Sequence, residues 1–159
     1  MQEVYQATPG YWAMYELTGA PAGQARRDLE AAAATPGRSI LGIVRRLVRD
    51  EPQAGMEMVG VVDLRLQWPD EQIAYVSMIM VAETHQRQGI GSRAWQLLRP
   101  WLVNQTSIQT ARVGVEQFNP GALLFFQQLG FALTGDADRV AVGDKFVRLL
   151  YLDRALGER

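Results

Sequence analysis

Three apolar stretches rich in β-branched residues follow one another in the first half of the chain and predict three consecutive strands. Turn-forming residues separate them, with Pro52 and Gly55 in the first gap and residues 68–71 in the second. The third stretch is apolar on both faces, so we expect it in the middle of a sheet. The predicted strands cover residues 39–49, 57–67 and 72–82.

Helical spacing is found on both sides of these strands. Before them, Pro9-Gly10 ends an early extended piece, and residues 11–18 and 22–34 are predicted helices. After them, apolar residues recur at three- and four-residue steps from Ile90 to Leu102 and predict a long helix. Pro100 lies inside that pattern, so we expect the helix to end just before it or to bend.

The last third of the chain predicts strand, helix and a closing hairpin. A strand at 111–115 is followed by a helix at 120–129, a strand that begins at 131, a turn at 135–138 and a last strand at 144–152. Antiparallel strands first, then a βαβα order, indicate an α+β fold. We expect one domain over residues 1–159, with helices flanking a central mixed, mostly antiparallel sheet of about six to seven strands.

The turn between the third strand and the long helix is the most informative segment. It contains Gly89 and Gly91 and leads directly into the first helical turn. The first N–H groups of a helix have no partner within the helix, and the helix dipole is positive there, so phosphate oxygens bind well. Glycine lets an anion approach the backbone because it has no Cβ. The spacing Gln-x-x-Gly-x-Gly is neither the dinucleotide pattern nor a P-loop, so it leaves the kind of phosphate ligand open.

Composition narrows the class of protein. The formal net charge is −1, which argues against nucleic acid as the main partner. The chain has no cysteine and one histidine, so we expect no disulfide, no cysteine nucleophile and no metal site. The first residues lack a basic stretch followed by an apolar one, and no apolar run has the length of a membrane span. We therefore expect a soluble cytoplasmic protein that does not bind a membrane.

Two motifs carry a resemblance to a known family. Residues 81–92, V-A-E-T-H-Q-R-Q-G-I-G-S, resemble the acetyl-CoA signature of the GNAT acetyltransferase superfamily. Residues 119–131, N-P-G-A-L-L-F-F-Q-Q-L-G-F, resemble the later motif of the same family, in the same order along the chain. The resemblance covers residues 73–131. It implies the GNAT acyl-CoA N-acyltransferase fold, with acetyl-CoA as cosubstrate and no metal.

The resemblance also implies which residues bind acetyl-CoA. Backbone N–H groups of the turn would hold the pyrophosphate, and the strand before it would pair with the pantetheine amides like an added strand. In the family, this strand and the strand near 111–115 splay apart. The implied residues are Ile79, Met80 and Val81 in the strand, Gln86, Arg87, Gln88, Gly89, Ile90, Gly91 and Ser92 in the turn, and Asn119, Phe125 and Phe126 in the later motif. Asn119 is at the same time the expected N-cap of its helix, directly before Pro120.

Phe126 departs from the family pattern. The motif usually places a tyrosine there, as the acid that protonates the leaving CoA thiolate, and phenylalanine has no proton to give. Two interpretations follow. Either water or another tyrosine protonates the thiolate, or the chain is a binding module without fast chemistry.

The general base is also open. Some family members carry a glutamate in the third strand, where this chain has Tyr75. The candidate catalytic residues are Asp63 in the neighbouring strand and Glu83 at the mouth of the turn, with Ser77 as a residue that orients a water. Asp63 has a structural alternative, because its spacing also allows it to pair with Arg65 on an exposed face.

We expect an N-acetyltransferase that transfers an acetyl group from acetyl-CoA to a primary amine of a small molecule or peptide by direct attack. The alternative is an acyl-CoA-binding regulatory or sensor domain with little or no transferase activity. Phe126 and the lack of an evident general base would be consistent with such a domain. The expected partners are acetyl-CoA and an amine acceptor, without nucleic acid or membrane, and a homodimer is left open.

Overall fold

The structure, a computed structural model, describes residues 1–47 and 55–157. Within these residues six strands form one sheet in the order β1-β2-β3-β4-β6-β5. All neighbouring strands are antiparallel except β3 and β4, which run parallel. The strands are β1 Arg38–Arg46, β2 Met56–Leu66, β3 Ile73–Val81, β4 Thr110–Glu116, β5 Ala132–Val142 and β6 Lys145–Ala155. The predicted mixed, mostly antiparallel sheet is confirmed, with β3 in its interior.

Helices cover both faces of this sheet. In the described part of the chain they are α1 Gln2–Gln6, α2 Pro9–Ala13, α3 Gln24–Ala34, α4 Ile90–Gln105 and α5 Pro120–Gln128. The larger core lies between the sheet and α4 and α5, where Val76 and Val113 pack with Trp95, Leu102 and Phe126. A smaller core on the other face joins β2 and β3 to α1, α2 and α3. We call these the α4–α5 face and the N-terminal face.

The long helix differs from its prediction in one respect. It does not end before Pro100 but continues to Gln105. Proline removes only one N–H donor, and Pro100 is exposed, so water can reach the carbonyl that loses its partner. Leu98 and Leu102 of the predicted apolar pattern are buried, together with Trp95, whereas Leu97 is 75% exposed.

Two other predicted elements are wrong. The early extended piece is helix α1, which Thr8 supports by donating its hydroxyl to the carbonyls of Val4 and Tyr5 at 3.1 and 2.9 Å. The predicted turn at 135–138 is an irregularity inside β5, because Gly135 takes a positive φ of 91° there without reversing the strand. The chain reverses between β5 and β6 instead, at Gly143, where φ is 56°.

The remaining differences are small. Helix α2 ends at Ala13, so the helix predicted at 11–18 is shorter and begins earlier. The end of the first predicted strand, residues 48 and 49, and the predicted turn at Pro52 lie outside the described residues.

Candidate active site

The sheet opens between β3 and β4. The two strands pair only from Ile73 opposite Thr110 to Val76 opposite Val113. Both strands continue, β3 to Val81 and β4 to Glu116, without further pairing to each other. The splaying that the resemblance implies is therefore present. Within the described residues it leaves the β4-facing edge of Ile79, Met80 and Val81 without a partner strand, while β2 holds their other edge.

A bulge in β3 changes which side chains face the opening. Asp63 lies opposite Met78 and Leu64 opposite Val76, so Ser77 is an extra residue without a partner in β2. Alternation would place Met80 on the same face as Val76. Because of the bulge, Met80 packs instead in the core of the N-terminal face. Ser77 itself is exposed, at the start of the unpaired segment.

The turn after β3 is built by its own polar side chains. Glu83–His85 form a single 3₁₀ turn, and the Gln86 side chain donates to the carbonyl of Val81 at 2.8 Å. The Gln88 side chain donates to the carbonyl of Thr84 at 3.2 Å. The two glutamine side chains thus connect the turn to the end of β3 and its second half to its first, which fixes the start of α4.

The backbone of this turn has unusual dihedral angles. Arg87 has a positive φ of 61° and Gly89 one of 75°. A positive φ is uncommon for a residue other than glycine, and such conformations concentrate at binding sites. Where the backbone alternates between left- and right-handed helical conformations, successive N–H groups point to one side. Together they form a concavity that binds anions.

Most backbone N–H groups of this turn donate no hydrogen bond to the described part of the protein. Across residues 1–47 and 55–157, the amides of Arg87 through Ser92 donate to no protein acceptor. The amide of Gln86 does not share this property, because it donates to the carbonyl of Glu83 at 3.2 Å. Six consecutive unpaired donors at the start of a 16-residue helix can bind a pyrophosphate. Gln86 therefore shapes the turn rather than offering its own amide.

Gly91 lies where α4 meets α5. A Cβ on Gly91 would lie 3.2 Å from the Phe125 ring, and 3.9 Å from the Ile79 side chain. Phe125 therefore stands beside both the turn and the free edge of β3. In contrast, a Cβ on Gly89 would meet nothing within 4 Å, so Gly89 is needed for its positive φ.

The later motif forms the predicted helix cap. The Asn119 side chain accepts a hydrogen bond from the amide of Ala122 at 3.1 Å, and Pro120 is the first helical residue. Phe126 is buried in the core of the α4–α5 face, with its ring centroid 5.1 Å from Phe125 and 5.4 Å from Phe131. It offers no polar atom to the opening.

Asp63 is held in a buried ion pair. Arg38 donates to both of its carboxylate oxygens, at 3.0 and 2.6 Å, and Asp63 is only 5% exposed. The hydrogen bond to Asp63 raises the pKa of Arg38. The predicted pairing with Arg65 is wrong, because Arg65 donates to the carbonyl of Pro36 and lies over the Trp68 ring. Asp63 is thus occupied by a structural partner.

Glu83 is also engaged. Its carboxylate accepts from the amide of Gly10, in the first turn of α2, at 2.7 Å, and its own amide donates to the carbonyl of Ala7 at 2.9 Å. It therefore fastens the N-terminal region to the end of β3. Both oxygens of Asp63 are in its ion pair, whereas Glu83 is exposed and accepts the hydrogen bond from Gly10 on Oε1 alone, so the role of either residue as general base stays a prediction.

Two polar residues at the opening were not among the sequence-based candidates. The Tyr75 hydroxyl reaches across to β4, where a Cβ on Gly114 would clash with it. The Trp68 ring packs against Tyr75 with centroids 5.0 Å apart. Glu116 is the last residue of β4 and accepts a hydrogen bond from the Tyr15 hydroxyl. Alternation along β4 could have identified Glu116, because Val113 and Val115 are buried and Arg112, Gly114 and Glu116 share the other face.

Burial, and after it the charges of Glu116 and Asp138, raise the pKa of Tyr75 to about 12. Its hydroxyl therefore stays protonated at neutral pH and can donate a proton or a hydrogen bond. Within the described residues this hydroxyl makes no hydrogen bond to the protein.

The family model of the acetyltransferase (GNAT) family matches residues 11–131, which is most of the chain. The chain belongs to this family. It is a GNAT-family acetyltransferase, and the fold, the splayed strands and the turn at the start of α4 agree with that membership. No curated protein matches the chain.

Solved structures of GNAT acetyltransferases share its fold. An acetyltransferase from Thermus thermophilus is 24% identical, with a TM-score of 0.71 over 96% of this chain and 86% of that one. NAA60 of Arabidopsis thaliana in complex with acetyl-CoA is 12% identical, with a TM-score of 0.65 over 81% and 82%. The Escherichia coli ribosomal-protein-S18-alanine N-acetyltransferase is 16% identical, with a TM-score of 0.60 over 83% and 77%.

Two features are absent from the part of the chain that the structure describes. None of its helices is both long and apolar enough to span a bilayer. Over the same residues, no three His, Cys, Asp or Glu side chains are grouped as metal ligands.

The Arg38–Asp63 pair yields a test of its structural role. Arg38→Ala leaves a buried carboxylate without its partner, so we expect the free energy of unfolding in urea to fall by about 3 kcal/mol. The matched control is Arg65→Ala, which removes an arginine directly across from Arg38 but leaves no buried charge, and should cost about 1 kcal/mol or less. Equal losses in the two variants would contradict the structural role of the pair.

Proposed function

We propose that this acetyltransferase transfers an acetyl group from acetyl-CoA to a primary amine of a small molecule or peptide. The observation that carries the proposal is the row of unpaired amides from Arg87 to Ser92, which lies directly after the free edge of β3. The amides suit the pyrophosphate and the strand edge suits the amides of pantetheine. The two features are adjacent along the chain in the order in which acetyl-CoA carries those groups.

The proposed cofactor site uses backbone and apolar groups. The backbone of Ile79, Met80 and Val81 would pair with pantetheine, and the turn that Gln86 and Gln88 shape would present its free amides to the pyrophosphate. Phe125, which stands beside Gly91 and Ile79, would flank the pantetheine arm together with Asn119. The positive charge of Arg87, which is exposed in the same turn, would add to the attraction for phosphate.

The proposed reaction is direct attack. The neutral amine nitrogen attacks the thioester carbonyl carbon, a C–N bond forms and the C–S bond breaks. The nitrogen loses one proton and the CoA thiolate gains one. We expect most of the rate enhancement to come from positioning, and from a backbone N–H near Val81 that polarises the thioester carbonyl.

Phe126 cannot protonate the thiolate, so we propose that Tyr75 does. Its hydroxyl is protonated, free of protein partners and directed towards Gly114 at the point where β3 and β4 part. The sensor alternative is not favoured, because the family and the similar solved structures are acetyltransferases. The expectations for location, nucleic acid, membrane and homodimer stay predictions.

Gly91→Glu tests the acetyl-CoA site. The new side chain meets Phe125 and places a negative charge among the free amides, so we expect acetyl-CoA affinity to fall at least tenfold, or about 1.4 kcal/mol. Gly121→Glu is the matched control, because Gly121 occupies the same second position of helix α5. Calorimetry should show a normal dissociation constant for Gly121→Glu. An unchanged constant for Gly91→Glu, with both proteins folded, would reject the assignment.

Tyr75→Phe tests the proposed acid. Because a positioned acid contributes on the order of 10²-fold, we expect kcat to fall by roughly that factor while the KM for acetyl-CoA stays the same. Adding Phe126→Tyr to this variant should restore part of the loss. Tyr151→Phe is the control, since the Tyr151 hydroxyl is already bound to Asp138 at 2.6 Å. A Tyr75→Phe enzyme with wild-type kcat would exclude Tyr75 as the acid.

A further inference from the structure

Glu116 differs from the ion-paired carboxylates on its side of the sheet, and from Asp138 of β5, which also accepts from a tyrosine hydroxyl but is exposed. Asp63 is paired with Arg38 and Asp153 with Arg112. Glu116 is half-buried, and among the described residues no Lys, Arg or His lies within salt-bridge distance of it. Its hydrogen-bond partner is the neutral hydroxyl of Tyr15. A half-buried negative charge without a cation is costly, so this carboxylate is suited to a positively charged ligand.

Aromatic rings lie beside Tyr15, the hydrogen-bond partner of this carboxylate. The Tyr15 ring lies 5.2 Å from Tyr11 and 5.8 Å from Phe118, centroid to centroid. Gly114, on the same face of β4 as Glu116, lies beside the Tyr75 hydroxyl, and the charge of Glu116 is, after burial, a cause of the raised pKa of Tyr75. Aromatic faces attract cations, most strongly where water is excluded. Carboxylate and rings together make a site for an ammonium group.

The position of Glu116 along β4 indicates which ammonium group it binds. Gly114 marks the point that the Tyr75 hydroxyl reaches, and Glu116 lies two residues further along the extended strand. Two residues of strand span roughly 6.6 Å. Under the proposed function the reacting nitrogen lies near the Tyr75 hydroxyl, so a cation at Glu116 would be separated from it by a distance close to that between the nitrogens of extended 1,4-diaminobutane, about 6 Å.

We propose that Glu116 is a specificity site that binds a second cationic group of the acceptor, so that the acceptor is an amine carrying another ammonium group a few bonds away. In the free protein the Tyr15 hydroxyl donates a hydrogen bond to the Glu116 carboxylate. The ammonium group displaces it, because a charge-assisted hydrogen bond is roughly twice as strong as a neutral one. This inference rests on the proposed function, since it describes the acceptor of that reaction.

The test compares two acceptors of the same length, 1,4-diaminobutane and 4-aminobutan-1-ol, which differ in the charge of the far group. For the wild-type enzyme we expect kcat/KM to favour the diamine by roughly tenfold or more. In Glu116→Gln this preference should disappear, mainly through a higher KM for the diamine. In Glu30→Gln, which removes an exposed carboxylate of α3 with no place in the site, the preference should persist.

A second variant separates the carboxylate from its hydroxyl partner. Tyr15→Phe keeps the ring and removes the competing donor, so the preference for the diamine should be at least as large as in the wild type. Its loss in Tyr15→Phe would assign recognition to the hydroxyl and overturn the proposal. Equal kcat/KM for the two acceptors in the wild type would also overturn it, while leaving the proposed acetyl transfer intact.

The wild type and Glu116→Gln also test the proposal if neither acceptor is acetylated. Calorimetric titration with 1,4-diaminobutane, in the presence of CoA, measures binding without turnover. Binding to the wild type that weakens tenfold or more in Glu116→Gln would support the ammonium site even though the proposed transfer had failed. Absence of binding, or equal binding to the two proteins, would reject the site.

Discussion

The parting of β3 from β4 is the constraint on which the rest of the site depends. Backbone N–H and C=O groups inside a protein need hydrogen-bond partners, and a parallel pair of interior strands normally supplies them to each other. Here the pairing stops at Val76 and Val113 while both strands continue. The bulge at Ser77 lies just beyond that point and turns Met80 away from the α4–α5 face. The free edge of β3 thus becomes available to an extended ligand.

The N-terminal region holds the open ends of these strands together. The amide of Gly10 bonds to Glu83 beyond β3, and the Tyr15 hydroxyl bonds to Glu116 at the end of β4. Lys145 of the closing hairpin pairs with Glu16 at 2.7 Å, although both side chains are well exposed and such a pair contributes little stability.

Features that depend on residues close together in the sequence were predictable, whereas the partners of residues far apart in the sequence were not. The turn at Gly89 and the cap at Asn119 follow from residues within a few positions of each other, and both are present. The partner of Asp63 was not predictable, because Arg38 lies 25 residues away and its approach depends on the register of β1 and β2. Alternation along β4 places Glu116 on the face opposite Val113 and Val115, but whether that face meets the opening depends on where β3 and β4 separate, which no local pattern encodes.

Amide hydrogen exchange, with and without acetyl-CoA, tests most directly whether the free edge and the free turn bind the cofactor. We expect the amides of Ile79, Val81 and residues 87–92 to exchange at least tenfold more slowly at saturating acetyl-CoA, because the bound ligand supplies acceptors to these amides and must dissociate before they exchange. The β5–β6 hairpin around Gly143 should be unaffected. Protection of the turn without the strand edge, or protection confined to other elements, would contradict the account.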